Sequence, residues 1–403
     1  MEAVEPPELT PLAELLPSEP LLLMGAGPVP IPHAVAQANS VVINHLGETM
    51  DAVVRSLKRM AGYAFQTRSD KILGVAGPAS AAMEMAVSNL AAPHSRVLAL
   101  VSGTFSGRLA EMAEGVGAAV EVIEAADAEP VRLEAVRRAL AAGRYDLVTV
   151  VQGETSCGVL NTELPAIIAA ARAHGALVVV DAVCTLTTMP LPMDAWGIDV
   201  VITGGQKGLS SIPGVSLLAF SEAAWRVVEH RPGPRPHWTL DARRAQRFWG
   251  HQQYHYTAPV PGILALHEAL RLICEETLER RFRRHALSSR ALQAGIEAMG
   301  LHLYVPPEHR LASVVAIAIP DGIDDRAVRR NMSAVYGVEI AGAFGLPIVR
   351  VGQMGEQCRS HNLFKALYAL GMSFRRAGLE LTVSRGMAEL ERQLAADEEQ
   401  LIG

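Results

Sequence analysis

The sequence predicts an α/β protein: a large domain with a mainly parallel sheet, followed by a smaller carboxyl-terminal α/β domain. Three observations carry that expectation. Beyond Lys71, short runs rich in valine, leucine and isoleucine alternate with helical stretches, the pattern of a parallel sheet covered on both faces. Two of these runs, Val178-Val179-Val180-Asp181 and Val200-Val201-Ile202-Thr203-Gly204-Gly205-Gln206-Lys207, end abruptly in an ionisable residue. A buried strand does this when it delivers a side chain to the carboxyl edge of its sheet, where such sheets bind ligands. Finally, 403 residues exceed what one ordinary core accommodates.

In chain order, residues 1–20 have prolines at 6, 7, 11, 17 and 20 and read as an extended arm lying on a neighbouring surface. The large domain is expected over residues 21–260. It opens with a strand over Leu21–Met24, which runs into the stiff turn Gly25-Ala26-Gly27-Pro28, and a helix over Glu48–Phe65 with Asn44 or Thr49 as cap. A strand over Leu73–Ala76 then meets Gly77-Pro78-Ala79-Ser80 and a helix over Ala81–Leu90. Strands are expected over Val97–Val101, Ala119–Ile123, Leu147–Val151, Leu177–Val180, Val200–Thr203 and Val215–Phe220. Helices over Gly107–Val116, Leu133–Ala142 and Glu163–His174 separate them, with Phe105 in a glycine loop. From Trp238 the chain reads as an irregular aromatic connector ended by Pro259 and Pro261. The small domain, residues 261–403, is expected to hold two helices over Ile263–Met299 and strands over Leu301–Val305, Val314–Ile319, Val338–Ala341 and Ile348–Val351. Helices over Leu363–Ile402 close it.

The net charge of -6 and the lack of a large Lys/Arg block argue against a nucleic-acid footprint. The densest basic run, Arg280 to His285, reads as a solvated helix face. Cys157, Cys184, Cys274 and Cys358 are too widely spaced for a zinc site or a disulfide framework, so a reducing cytoplasm is the expected compartment. No apolar stretch reaches the roughly 18 residues of a membrane span, and neither end carries a targeting pattern.

A lysine after a strand is ordinarily solvated, and an aspartate there ordinarily caps a helix. At one sheet edge, Asp181 and Lys207 together suit pyridoxal 5'-phosphate: the carboxylate holds the ring nitrogen protonated and the amine bonds to the aldehyde. Thr203-Gly204-Gly205 leaves room for a flat ring, and burial would depress the amine pKa. A phosphate needs N–H donors at a helix start, where Gly77-Pro78-Ala79-Ser80 lies; Pro78 removes one donor and Ser80 adds a hydroxyl. Phe105 suits the face of a planar cofactor, or the core. Arg350, inside an apolar strand, must have an anionic partner, either a structural Asp or Glu or a bound substrate carboxylate. Gly153 to Gly158 and Tyr254-His255-Tyr256-Thr257 offer further polar groups, the second set either packing on the core or reaching a phosphate in a second subunit.

Together these motifs resemble the class V pyridoxal-phosphate aminotransferases, in particular the alanine-glyoxylate and serine-pyruvate branch. Gln66-Thr67-Arg68, Gly153-Glu154-Thr155-Ser156-Cys157-Gly158-Val159-Leu160, Val180-Asp181-Ala182-Val183, Gln206-Lys207-Gly208-Leu209, Phe248-Trp249-Gly250 and Tyr254-His255-Tyr256-Thr257 occur in the family's order. The resemblance implies fold type I and an enzyme rather than a binding module. It implies ping-pong transamination from a small amino acid, alanine or serine, to a 2-oxo acid, glyoxylate or pyruvate. Lys207 and Asp181 would be catalytic, with Thr155 and Gln206 on the cofactor and Phe105 stacked against it. Gly77, Pro78, Ala79 and Ser80 would take the phosphate, with Tyr254 and Thr257 of the partner subunit in a homodimer. Arg350 would hold the substrate carboxylate, near Gly27. The chain departs from the family at Gly25-Ala26-Gly27-Pro28 in place of Gly-Pro-Gly-Pro, at Pro78-Ala79-Ser80 in place of Ser-Gly-His, and at Phe105 in place of tryptophan or tyrosine. The stretch from Ala341 to Arg350 is also shorter. The tail from Leu367 to Leu394 is similar to that of pyridoxamine-pyruvate aminotransferase, which has a different phosphate pocket. Ureidoglycine-glyoxylate aminotransferase is a further relative, and both stay open as alternatives.

Overall fold

The computed structural model describes residues 6–231 and 237–402, with side chains to residue 396. The first five residues of the expected arm therefore lie outside the described residues. Seven strands form one sheet: β1 (Ile72–Ala76), β2 (Arg96–Val101), β3 (Ala119–Glu124), β4 (Leu147–Val151), β5 (Leu177–Asp181), β6 (Val200–Gly204) and β7 (Val215–Phe220), in the order β1-β7-β6-β5-β4-β2-β3. Only β7 is antiparallel, to both β1 and β6. The inner strands are buried on both faces, which is why they read as nearly continuous apolar runs. Edge strand β3 is largely exposed and carries Glu121 and Glu124, charges that discourage pairing with another chain.

Helices α1 (Glu48–Phe65), α2 (Ala79–Leu90), α3 (Thr104–Gly115), α4 (Leu133–Ala142), α5 (Leu164–Ala173), α6 (Glu222–His230) and α7 (Ala242–His251) accompany the sheet. Three expectations need correction. Helix α1 is capped by Gly47 at φ 115°, not by Asn44 or Thr49. Helix α3 starts at Thr104, so Phe105 sits in its first turn and not in a loop. The supposed irregular connector contains α7, whose N-cap Asp241 accepts the Arg243 N–H at 2.9 Å.

Helix α8 (Val260–Glu276) buries Ile263, Leu266 and Leu270 in the core of the main sheet, so that core continues past residue 260. Helix α9 (Leu278–Met299) then crosses to a second core, which Ala291, Ile296 and Met299 share with α10 (Asp325–Tyr336), α11 (Ser360–Arg376) and the antiparallel pair β8 (Val314–Ala318) and β9 (Ile348–Gly352). Helix α12 (Val383–Ile402) packs along α9. Leu303 makes a single bridge to Ile317 in place of the strand expected over Leu301–Val305. Val338–Glu339 pairs in parallel with Leu22–Leu23, and Met24 is bonded to Glu339 and Gly352, so the amino-terminal strand completes the second core.

The basic run on α9 is not a solvated face. Arg280 and Arg283 point outward, but Arg281 and His285 are buried and Arg284 is half-buried, because the inward side of the helix recurs every three to four residues. Among the described residues, no helix is long and apolar enough to cross a membrane, and no cluster of side chains suits a metal.

Candidate active site

Strands β4, β5 and β6 are neighbours, so the loops leaving their carboxyl ends converge. Asp181 closes β5, Lys207 follows β6 by three residues, and Thr155 follows β4 by four. All three line one cavity of about 280 Å³. Gly27, Ala79, Ser80, Phe105 and Gln206 line it too, which brings eight of the sequence candidates together. A larger groove of about 920 Å³, lined by Lys58, Arg68 and Asp194 among others, opens beside Ile72 at the far end of β1 and shares none of them.

The Lys207 amine is buried and donates to the Ala26 carbonyl. Gly27, at φ 106°, lies against it: a Cβ there would come within 2.6 Å of Nζ, so only glycine lets this turn form the wall. Burial lowers the amine pKa and Arg350 adds to the effect, while Cys184 and Asp181 oppose it. The Asp181 carboxylate accepts the Val183 N–H at 2.8 Å, yet burial pushes its pKa up to about 7. Cys184 also faces the cavity, with its thiol donating to the Gly153 carbonyl at 3.2 Å and pushed up to about 12 by burial.

Two residues whose roles the sequence reading missed organise the opposite wall. Glu154 is fully buried, and its carboxylate accepts the N–H of Phe105 at 3.3 Å and of Ser106 at 2.9 Å, as well as the N–H and hydroxyl of Ser156 at 3.1 and 2.6 Å. A negative charge at the start of α3 suits the helix dipole and fixes the turn that carries Phe105. A side chain at Gly103 would place its Cβ 2.6 Å from Glu154, so glycine is what allows this approach. Arg108, one turn beyond Phe105, lines the cavity with its guanidinium 4.7 Å from the Phe105 ring. The spacing of three would have signalled it once α3 was known to begin at Thr104.

Of the two partners expected for Arg350, the structural Asp or Glu is not found among the described residues. The arginine is buried, but no carboxylate among them lies in ion-pair reach. Its guanidinium donates to the Thr155 carbonyl at 2.6 Å and, through Nε, to the Gly342 carbonyl at 2.9 Å; Nη2 also reaches Gly342. Five N–H donors let a guanidinium spread over carbonyls without a counter-ion, and two of them stay uncommitted here. Phe344, 57 % exposed, covers it with a ring 5.5 Å away that also meets Phe105 edge-on at 6.0 Å.

The cavity can accommodate pyridoxal 5'-phosphate on several independent counts. The Gln206 amide oxygen is buried without a hydrogen-bond donor, as an atom awaiting a ligand would be. The N–H groups of Ala79 and Ser80, in the first turn of α2, are available to an anion. Gly77 and Pro78 do not line the cavity, and the Gly77 N–H is committed to the Gly214 carbonyl at 3.0 Å. Tyr254 and Thr257 are exposed and line no part of the cavity in their own chain.

Comparison with known proteins agrees with this geometry. The sequence profile of the aminotransferase class-V family matches residues 32–360. The alanine--glyoxylate aminotransferase of Felis catus is 31 % identical over 384 residues, covering 93 % of this chain and 92 % of that protein. The crystal structure of ureidoglycine-glyoxylate aminotransferase from Bacillus subtilis superposes with a TM-score of 0.91 at 30 % identity, covering 94 % and 99 % of the two chains. Pyridoxamine-pyruvate aminotransferase from Mesorhizobium loti superposes with a TM-score of 0.89 at 28 % identity, covering 94 % and 98 %. The chain therefore belongs to the class V aminotransferases, enzymes of fold type I whose cofactor is pyridoxal 5'-phosphate.

Proposed function

We propose that the enzyme moves an amino group from a small amino acid, alanine or serine, to glyoxylate or pyruvate by ping-pong transamination. The observation that carries this reading is the convergence of Lys207 and Asp181 in one cavity, with Arg350 directly behind Thr155. The bound cofactor supplies an electron sink for the pair of electrons left when the substrate α-proton departs. Asp181 would hold the ring nitrogen, and Gln206 and Thr155 would hold the ring beside it. Lys207, whose amine pKa is lowered by burial, would serve as the base that moves the substrate α-proton. Arg350 orients the substrate through its carboxylate, beside Gly27 and under Phe344.

Ala79 and Ser80 would hold the phosphate, completed by Tyr254 and Thr257 of the partner subunit in a homodimer. The exposure of both residues in the single chain supports that arrangement. The free cysteines fit a reducing compartment such as the cytoplasm. A second reading takes pyridoxamine as the donor; it is favoured by the Gly77 N–H, which the Gly214 carbonyl withholds from any phosphate. The test is a half-reaction screen of the purified protein against amino acids and pyridoxamine, with borohydride trapping to show label on Lys207. Conversion by alanine or serine supports the first reading, conversion by pyridoxamine alone the second, and protein that cannot be labelled at Lys207 would sink both.

A further inference from the structure

The buried side of the basic run on α9 reaches the catalytic turn. Arg281 donates through Nη2 to the Gly208 carbonyl at 2.8 Å and the Ser210 hydroxyl at 3.0 Å, through Nε to the Thr187 hydroxyl at 3.3 Å, and through Nη1 to Glu276 at 2.9 Å. Gly208 is the residue after Lys207, and its carbonyl also accepts the Thr187 hydroxyl at 2.7 Å. Thr187 and Ser210 hold φ of 67° and 57°, a left-handed conformation that non-glycine residues adopt only when their surroundings impose it. Glu276 receives Arg284 as well, and Arg284 donates to the Gly355 carbonyl at 2.7 Å while the His285 ring accepts the Gly355 N–H at 3.0 Å. Gly355 lies three residues beyond β9, the strand that carries Arg350. One cluster on α9 thus grips both the Lys207 turn and the segment after Arg350.

We propose that Arg281 is a positioning residue for the transamination reaction: with Glu276 it fixes the Lys207 turn through Gly208, while Arg284 and His285 hold the Arg350 strand in register with it. The inference rests on the reading of Lys207 given above. An ordinary structural arginine would be satisfied by its carboxylate alone. This one spends two of its four contacts on the turn around the amine and a third on Thr187, which itself donates to Gly208, at a place where a shift of about 1 Å is worth some hundredfold in rate.

The test compares wild type, Arg281→Met, Arg281→Lys and Thr187→Val, each saturated with cofactor. Two quantities are read: the rate at which borohydride traps added pyridoxal 5'-phosphate on Lys207, mapped by peptide mass, and kcat and KM for the amino donor found in the screen. Arg281→Met is expected to lower kcat and the trapping rate at least tenfold with KM changed less than threefold, and Arg281→Lys to restore a third or more of the loss. Thr187→Val removes the second donor to Gly208 without altering charge and should lower kcat several-fold; it decides the question if Arg281→Met does not fold. Folded variants with wild-type kcat and trapping, or a change confined to KM, would overturn the proposal while the Lys207 reading stands. A wild type that is never trapped at Lys207 would overturn both.

Discussion

The carboxylate of Glu154 accepts the backbone N–H of Ser106 at 2.9 Å, so a fully buried charge after β4 caps the helix after β2. Replacing it leaves several buried donors unpaired, at about 1–3 kcal/mol each. Glu154→Leu should lower the thermal midpoint and the cofactor bound per chain, read from visible absorbance, and Glu154→Gln should lose less of both. Unchanged cofactor content in a folded Glu154→Leu would show that the α3 turn does not need this cap.

Gly27→Ala puts a methyl group against the Lys207 amine in a backbone conformation unfavourable for alanine. The strain costs about 1–3 kcal/mol, and part of it should appear as displacement of the amine. Turnover is expected to fall at least tenfold with only a small drop in the melting temperature. Steady-state kinetics beside a melt checks this, and wild-type turnover would mean that the turn yields without moving Lys207.

Burial pushes the Asp181 carboxyl to about 7 in this structure, from an ordinary 3.8. Between those values the folded cofactor-free protein keeps a proton that the unfolded chain has released. The stability tied to that proton is present at low pH and is lost as pH rises through about 7. Asp181→Asn cannot show the effect. Urea midpoints of the two cofactor-free proteins should therefore diverge between about pH 4 and pH 7, wild type losing ground, and run parallel above that. Parallel curves throughout would refute the assignment.

Arg350→Ala should raise KM for the amino donor by about 10–100-fold, the usual value of hydrogen bonds to a charged group, while labelling of Lys207 persists. An unchanged KM would remove Arg350 from the substrate site and leave it as a tie between Thr155 and Gly342.

The sheet was legible because its strands are valine-rich runs that announce themselves, and Asp181 and Lys207 because each breaks such a run at its end. What stayed hidden depends on groups distant in sequence. The start of α3 is fixed by Glu154, some fifty residues later, and Gly103 carries no side chain to mark the cap. In place of the structural Asp or Glu that was one of the two partners expected for Arg350 stand two carbonyl oxygens, which every residue possesses and no pattern reveals. Arg281 and Arg280 look alike in a basic run, and only the packing of α9 decides which one turns inward. The strand expected over Val338–Ala341 was recognisable, but its partner Leu22–Leu23 lies at the opposite end of the chain.

That last pairing has a consequence for how the enzyme is made. The segment that walls Lys207, Gly25 to Pro28, is anchored on one side by Met24, whose partners Glu339 and Gly352 leave the ribosome long after it and after the whole main sheet. Contacts so distant in sequence form late. The nascent chain would therefore assemble its sheet and present Asp181 and Lys207 before the strand at Leu22–Leu23 has anything to pair with, and the amine would be enclosed only once Glu339 and Gly352 have emerged.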